Sequence, residues 1–262
     1  MNIGVTGCSS PIGTKLCELI KNAGHNLIMI GRNEEAVWRF GEKLPSLNFE
    51  LLIHIAHDRS LSSDDSLSGN ELLLNSLPQN AFVVYLSTTS AHANTLSQYG
   101  RSKYQCENLF LSANAAIVKS GLIFDSALEK QNGVLGKLES YSRKLPVIPI
   151  PFAGKPTFYM SCIDALGNAL LQLSVDRRPG RYAAFSYQPL SLFELIYRFT
   201  QSSKRKARLV PLPDFPTRDL LIRLSKFKHS LGSLDSLISL IEEIPEEEIR
   251  SLMPTGLDFP NY

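Results

Sequence analysis

The sequence predicts an α/β protein built on a doubly wound parallel sheet with a small C-terminal lobe, and three features predict it. Residues 1–30 read as strand, small-residue turn, helix and strand. Further on, the apolar strand Phe82-Val-Val-Tyr-Leu-Ser-Thr-Thr-Ser90 ends in hydroxyls and leads to a helical pattern bearing Tyr99 and Lys103. At 262 residues and 44% hydrophobic, the chain can bury one large core, or one core plus a small appended lobe.

Each element has its own local reason. Met1-Asn-Ile-Gly-Val-Thr-Gly-Cys-Ser-Ser-Pro-Ile-Gly13 is a short buried strand, a turn and a helix start. Leu16, Leu19 and Ile20 stripe that helix, and Gly24 terminates it. The strand Asn26-Leu-Ile-Met-Ile30 follows, which completes a β-α-β unit of the Rossmann type. Gly7 permits the tight turn, and Gly13 lets the helix pack close to the strand. Backbone amides at the helix start then suit a pyrophosphate. Ser10 replaces the expected middle glycine, and its hydroxyl is expected to donate to a phosphate beside it.

Too little chain separates Gly31 from the strand Leu51-Leu-Ile-His-Ile-Ala56 for a full helix and strand. Ala36–Glu42 therefore reads as a shortened third strand at the sheet edge, or as a helix with that strand missing. As a strand it brings Glu42 toward an adenine amine. Ser60–Ser68 reads as a polar loop before a helix over Asn70–Leu77, stopped by Pro78. The sixth strand is Ala115–Val118. Residues 125–160 mix glycine and proline, so they form loops around a helix near Leu135–Arg143. Asp164–Leu173 is a helix with Asp164 as its N-cap. Arg181–Ser186 is a strand, and Ser191–Thr200 is a helix capped by Ser191 with Glu194 three residues on. The basic run Lys204–Arg208 reads as a solvated edge before the extended Leu209–Pro213, with capture of a pyrophosphate as the functional alternative. Leu231–Ile244 is a packing or oligomer helix, and Glu246-Glu-Glu248 opens another helix.

The chemistry lies in Tyr99-Gly-Arg-Ser-Lys103, whose tyrosine and lysine share one helix face. A free phenol has a pKa of about 10 and is a poor base at neutral pH. A nearby ammonium favours the phenolate and brings it closer to acid/base work. The spacing alone is common in ordinary amphipathic helices; the glycine turn upstream gives it meaning.

Taken together these motifs resemble the extended branch of the short-chain dehydrogenase/reductase superfamily, over roughly residues 1–190. Thr6-Gly-Cys-Ser-Ser-Pro-Ile-Gly13 is similar to that branch's T-G-x-x-G-x-I-G turn, and Ile53-His-Ile-Ala56 to its I-H-L-A strand end. Leu86-Ser-Thr-Thr89 resembles its catalytic-hydroxyl strand, and Lys119-Ser-Gly-Leu-Ile-Phe124 its R-P-G-x-x-Y segment. Met160-Ser-Cys-Ile-Asp164 is similar to its V-x-V-x-D. The resemblance implies Thr89, Tyr99 and Lys103 as catalytic residues. It implies Gly7, Ser9, Ser10, Ile12, Gly13, Arg32, Ala56, Ser87, Tyr99 and Lys103 around a nicotinamide cofactor. It further implies an NAD(P)-dependent oxidoreductase or epimerase acting on a nucleotide sugar, as one unit over 1–262. Residues 1–124 and 161–190 would form the dinucleotide core, with 125–160 and 191–262 over the substrate. A homodimer is compatible with the C-terminal leucines. Ser90-Ala91 follow Thr89 where 4,6-dehydratases of this branch carry Asp-Glu, so dehydration by that route is not expected.

Cofactor choice is argued physically. An acidic residue that ends the second strand would bind the ribose of NAD, but Gly31 stands there, followed by Arg32. A guanidinium binds a 2′-phosphate bidentately, so NADP is expected over NAD. A non-catalytic NADP(H)-binding sensor and an assembly protein that keeps a cofactor for stability are the competing classes. The net charge of +2 is too small to suggest nucleic-acid binding, and none is expected. No apolar run reaches the ~18 residues of a membrane span, and a strand at residue 1 leaves no room for a signal peptide. Cys8, Cys17, Cys106 and Cys162 show neither metal nor disulfide spacing, which fits reduced thiols in the cytoplasm. His25, His54, His57, His92 and His229 are scattered and do not suggest zinc. His92 reads as a loop histidine, with an extra acid as the alternative.

Overall fold

In the computed structural model the described residues are 1–58, 60–127, 131, 133–150, 154–201, 207–213, 242 and 244–262. The strand β1 (Asn2–Thr6) buries Ile3 and Val5 completely, because sheet neighbours flank both edges and helices cover both faces. Helix α1 (Pro11–Asn22) begins with Pro11, whose missing N–H costs nothing in a first turn. It ends before Gly24, which takes a φ of 73°. Then come β2 (Asn26–Gly31), β3 (Ala36–Val37) and β4 (Leu51–His54). The first half closes with α2 (Ser63–Asn75), β5 (Phe82–Thr88) and α3 (Gln98–Ser112).

Beyond them lie β6 (Ala116–Ser120), β7 (Leu122–Phe124), α4 (Gly133–Lys144) and β8 (Val147–Ile150). The chain continues through β9 (Thr157–Phe158), β10 (Met160–Cys162), α5 (Ile163–Asp176) and β11 (Gly180–Ala184). The last described elements are β12 (Leu190–Ser191), α6 (Leu192–Gln201), β13 (Arg208–Pro211), α7 (Glu246–Arg250) and β14 (Met253–Pro254).

Eight strands form one sheet in the order β14-β11-β6-β5-β4-β1-β2-β3, and every pairing in it is parallel. This is the doubly wound sheet expected from the sequence. Helices α1 and α5 pack against each other on one face, and α2 and α3 on the other. Strand order reverses between β1 and β4, which opens a crevice at their carboxyl ends. A separate apolar cluster joins Leu135, Ile148, Phe158, Leu195 and Phe199 in the lobe that follows β7.

Several sequence expectations need correction. The third strand exists, but only over Ala36–Val37, paired with Ile30 and Gly31. No helix forms over Ala36–Glu42; Trp38 instead folds back and its indole N–H donates to the Glu42 carbonyl at 2.9 Å. Glu42 itself is exposed. Helix α2 begins at Ser63, well inside the expected loop, because Ser62 caps it. The Ser62 hydroxyl accepts from the Asp65 amide at 3.1 Å and donates to its carboxylate at 2.7 Å. Asp164 is not the cap of α5; Cys162 holds that place, and Asp164 pairs with Lys15 of α1 at 2.5 Å. Ser191 caps α6 as expected, accepting from the Glu194 amide at 3.1 Å. Glu246-Glu-Glu248 opens α7 as expected. Lys204–Lys206 and nearly all of Leu231–Ile244 lie outside the described residues. Among the described residues, no helix is long and apolar enough to cross a membrane.

Candidate functional site

The turn after β1 is held by its own side chains. Gly7 takes a φ of 78°, and a Cβ there would come within 2.9 Å of the Ala56 amide nitrogen. At Gly13 a Cβ would meet the Gly7 carbonyl at 2.1 Å, so only glycine allows α1 to sit this close. Ser10 caps α1: its hydroxyl accepts from the Gly13 amide at 3.1 Å and donates to the Gly7 carbonyl at 2.8 Å. In this structure the Ser10 proton is used within the turn, where the sequence reading expected it to face a phosphate.

Across the crevice, His54 ends β4 fully buried, with ring nitrogens 2.7 Å from the Thr6 hydroxyl and 2.9 Å from the Asn70 side-chain oxygen. Burial, with the Lys103 charge adding to it, pulls its pKa down to about 3, so the ring is neutral. The amides of Ile55 and Ala56 donate to the Thr6 hydroxyl, which fixes the strand end beside Gly7.

A cavity of ≈ 530 Å³ occupies this crevice. Gly7, Ser9, Ser10, Arg32, Ala56, Ser87, Tyr99 and Lys103 line it, as the sequence reading grouped them. Ile12 and Gly13 do not: Ile12 faces a second cavity, and Gly13 serves the close approach of α1. The Ser87 hydroxyl donates to Glu107 at 2.5 Å. Sequence reading missed Cys8, Glu34, Trp38, Phe40, His57 and Asp58, which share this lining. Glu34 was the findable one, as the first carboxylate after β2; a Cβ on Gly31 would lie 2.9 Å from the Glu34 Cγ. Arg32 is 71% exposed, with its guanidinium 3.7 Å from the Asp58 carboxylate. Hydrogen bonds from the Ser60 hydroxyl and amide hold that carboxyl below its usual pKa.

The second cavity, ≈ 360 Å³, is lined by Ile12, Thr88, Thr89, Ser90, Tyr99 and residues 120–125, with walls from α4, β9 and residues 242 and 244. Thr89 is buried, and its amide donates to the Ser120 carbonyl at 2.8 Å. Gly121 has to be glycine, since a Cβ there would meet the Tyr159 carbonyl at 1.9 Å. Tyr99, Ser120 and Ile123 border both cavities.

Helix α3 brings Tyr99 there. Ser97 caps it, accepting from the Gly100 amide at 2.8 Å. A Cβ on Gly100 would meet the Ser90 carbonyl and the Thr95 hydroxyl at 2.4 Å, so this glycine seats the helix against the loop after Thr89. Tyr99 stands edge-on to His57, with ring centroids 5.1 Å apart. One turn on, Lys103 is buried; its ammonium donates to the Leu86 carbonyl at 2.9 Å and lies 4.5 Å from the Tyr85 ring centroid. His92 lies outside the second cavity's lining; it is 3% exposed, and among the described residues neither ring nitrogen has a hydrogen-bond partner. Burial lowers its pKa.

No family model matches the chain, and no curated protein matches it. Solved structures do. A nucleoside-diphosphate-sugar epimerase from Staphylococcus aureus superposes with a TM-score of 0.69 at 13% identity, covering 96% of this chain and 95% of that one. UDP-N-acetylglucosamine 4-epimerase from Bacillus cereus gives 0.64 at 16% identity, covering 94% and 99%. The chain has the extended short-chain dehydrogenase/reductase fold. A third match is dTDP-glucose 4,6-dehydratase from Bacillus anthracis, in complex with NAD, at 0.65 and 11% identity, covering 92% and 95%. At these identities the likeness speaks for the fold, and the chemistry has to be argued from the residues.

Proposed function

We propose that this chain is an NAD(P)-dependent oxidoreductase or epimerase acting on a hydroxyl or keto carbon of a nucleotide sugar. One observation carries the reading: Tyr99 borders both the cavity behind the glycine turn and the cavity beside Thr89. A proton donor at that junction reaches a substrate in one cavity and a cofactor in the other. The sugar-nucleotide enzymes that share the fold support the substrate class.

The turn fits a dinucleotide. Gly7 lets the turn pass close to the end of β4 and Gly13 lets α1 pack close to β1, so helix α1 starts beside the cavity that Gly7 lines. Pro11 has no N–H and the Gly13 amide is held by Ser10, so Ile12's is the first-turn amide left for a phosphate, and Ser9 lines the cavity. Ala56 would lie against the adenosine side, and Ser87 and Lys103 would wall the nicotinamide end. When bound, the nicotinamide gives or takes hydride at its C4. Tyr99 takes the proton from a substrate hydroxyl, or returns it to a carbonyl. Lys103 favours the phenolate and holds the ribose, while Thr89 hydrogen-bonds the same substrate oxygen. Residues 1–124 and 161–190 hold the dinucleotide in this scheme, and 125–160 with 191–262 cover the sugar.

Our cofactor is NADP(H), because Arg32 is exposed at the cavity rim and a 2′-phosphate can replace Asp58 as its anion. NAD is the second reading, favoured by Glu34 in the same lining, where a carboxylate suits a ribose diol. The test is turnover of nucleotide sugars by the purified protein with NADPH and with NADH, alongside Tyr99→Phe. The variant should lose about 10²–10⁴-fold in kcat while NADPH binding stays nearly intact. A wild-type protein that binds NADPH and turns over none of these sugars would favour a sensor or assembly role instead.

A further inference from the structure

A buried cluster of charge lies behind the candidate catalytic residues and contacts neither cavity through its ammonium. Lys119 of β6 is fully buried, with its ammonium 3.2 Å from Glu107 of α3 and 2.5 Å from Glu248 of α7. The same ammonium donates to the carbonyl of Ala91, two residues past Thr89. Glu107 also accepts from the Ser87 hydroxyl and from Arg181 of β11 at 3.1 Å, and Arg181 pairs with Glu248 in turn. Two carboxylates and two cations thus balance. A buried ion set of this kind is weak evidence for stability, so what it holds in place is the informative question.

Its connections supply one. Glu107 is two turns beyond Tyr99 on the same face of α3, and Ala91 belongs to the loop that carries Thr89. Lys119 therefore links the two elements whose spacing sets the distance between phenol and threonine. Glu242, from the same C-terminal segment as Glu248, holds the other end of that loop. Its carboxylate accepts from the Thr95 hydroxyl at 2.8 Å and from the Leu96 amide at 2.5 Å.

We propose that Lys119, clamped by Glu107 and Glu248, is a positioning residue that holds the Thr89 loop in register with Tyr99. The C-terminal segment is thereby part of the active-site frame. This rests on the reading of Thr89 and Tyr99 given above. A misplacement of about 1 Å at reacting groups costs about 10²-fold in rate, which sets the expected effect.

The experiment compares Lys119→Met, Glu248→Gln and Lys119→Arg by amide hydrogen exchange and by kinetics, in the full chain. Glu248→Gln is nearly isosteric and stands in if Lys119→Met fails to fold. Loss of the clamp should speed exchange about tenfold or more in residues 89–97 and leave the β1–α1–β2 unit protected. It should lower kcat by about 10²-fold with dinucleotide affinity held, and Lys119→Arg should restore both. Unchanged exchange in 89–97, or loss of protection across the whole sheet, would overturn the proposal. If wild-type protein shows no turnover while the exchange pattern appears as expected, the acid/base reading fails and the clamp on the loop stands.

Discussion

At Arg32 the proposed 2′-phosphate would compete with Asp58 for one guanidinium. Asp58 already offers it a carboxylate at 3.7 Å, yet the side chain is mostly in solvent, so that pair is weak. A 2′-phosphate brings more charge and a bidentate geometry. Arg32→Ala should therefore weaken NADPH about 10–100-fold and leave NADH within experimental error, read by quenching titrations. Equal loss for both cofactors would refute the assignment. Glu34→Ala is the companion: if NADH is the true ligand, it is NADH affinity that falls. At His54 the physical effect is on stability. The ring titrates at about 6.5 when unfolded and about 3 when folded. Its contribution is complete above pH 6.5, because neither state then binds the proton. Between pH 6.5 and 3 only the unfolded chain takes it up, so stability falls with falling pH, by up to about 1.4 kcal/mol per pH unit. Urea midpoints at pH 7 and pH 5 should show this slope, shallower in His54→Gln; the same slope in both contradicts it.

Helix α3 is the element on which chemistry and packing meet. Its inward face carries Tyr99, Lys103 and Glu107 in successive turns, running from cavity wall to buried charge. Gly100 lets that face press on the Thr89 loop. A methyl there has to move the Ser90 carbonyl or the helix, so Gly100→Ala should cost about 1–3 kcal/mol in stability. It should also lower kcat by more than it weakens dinucleotide binding, since the glycine turn is elsewhere. An unchanged kcat would mean the seating of α3 is unimportant. The strand-turn-helix order, the caps at Ser191 and the face of α3 were readable because each follows from local residue type and spacing. The start of α2 was not, since a Ser/Asp-rich run reads as loop until Ser62 and Asp65 are seen to bond each other. A shortened edge strand within Ala36–Glu42 was readable; its length was not, because only Ala36 and Val37 pair with the open edge of β2.

On the scale of the whole molecule, parallel order and the switch between β1 and β4 gather residues from distant parts of the chain at one end of the sheet. Glycines and hydroxyls in short motifs announced that assembly, so Gly7, Arg32, Ala56, Ser87, Thr89, Tyr99 and Lys103 could be named from sequence. Glu34 could have been added as the first carboxylate after β2, but His57 and Asp58 could not be grouped with them, because a loop's path over a cavity is set by tertiary packing. Glu242 and Glu248 were further still from view: they reach the Thr89 loop only because β14 returns to the sheet beside β11. The most direct test of the account is a crystal structure of the protein with NADPH. The account predicts the pyrophosphate at the start of α1 and the nicotinamide ring at the junction of the two cavities, with the Tyr99 phenol and the Lys103 ammonium on its ribose. A ring lodged away from Tyr99, or a dinucleotide bound outside the crevice between β1 and β4, would contradict it.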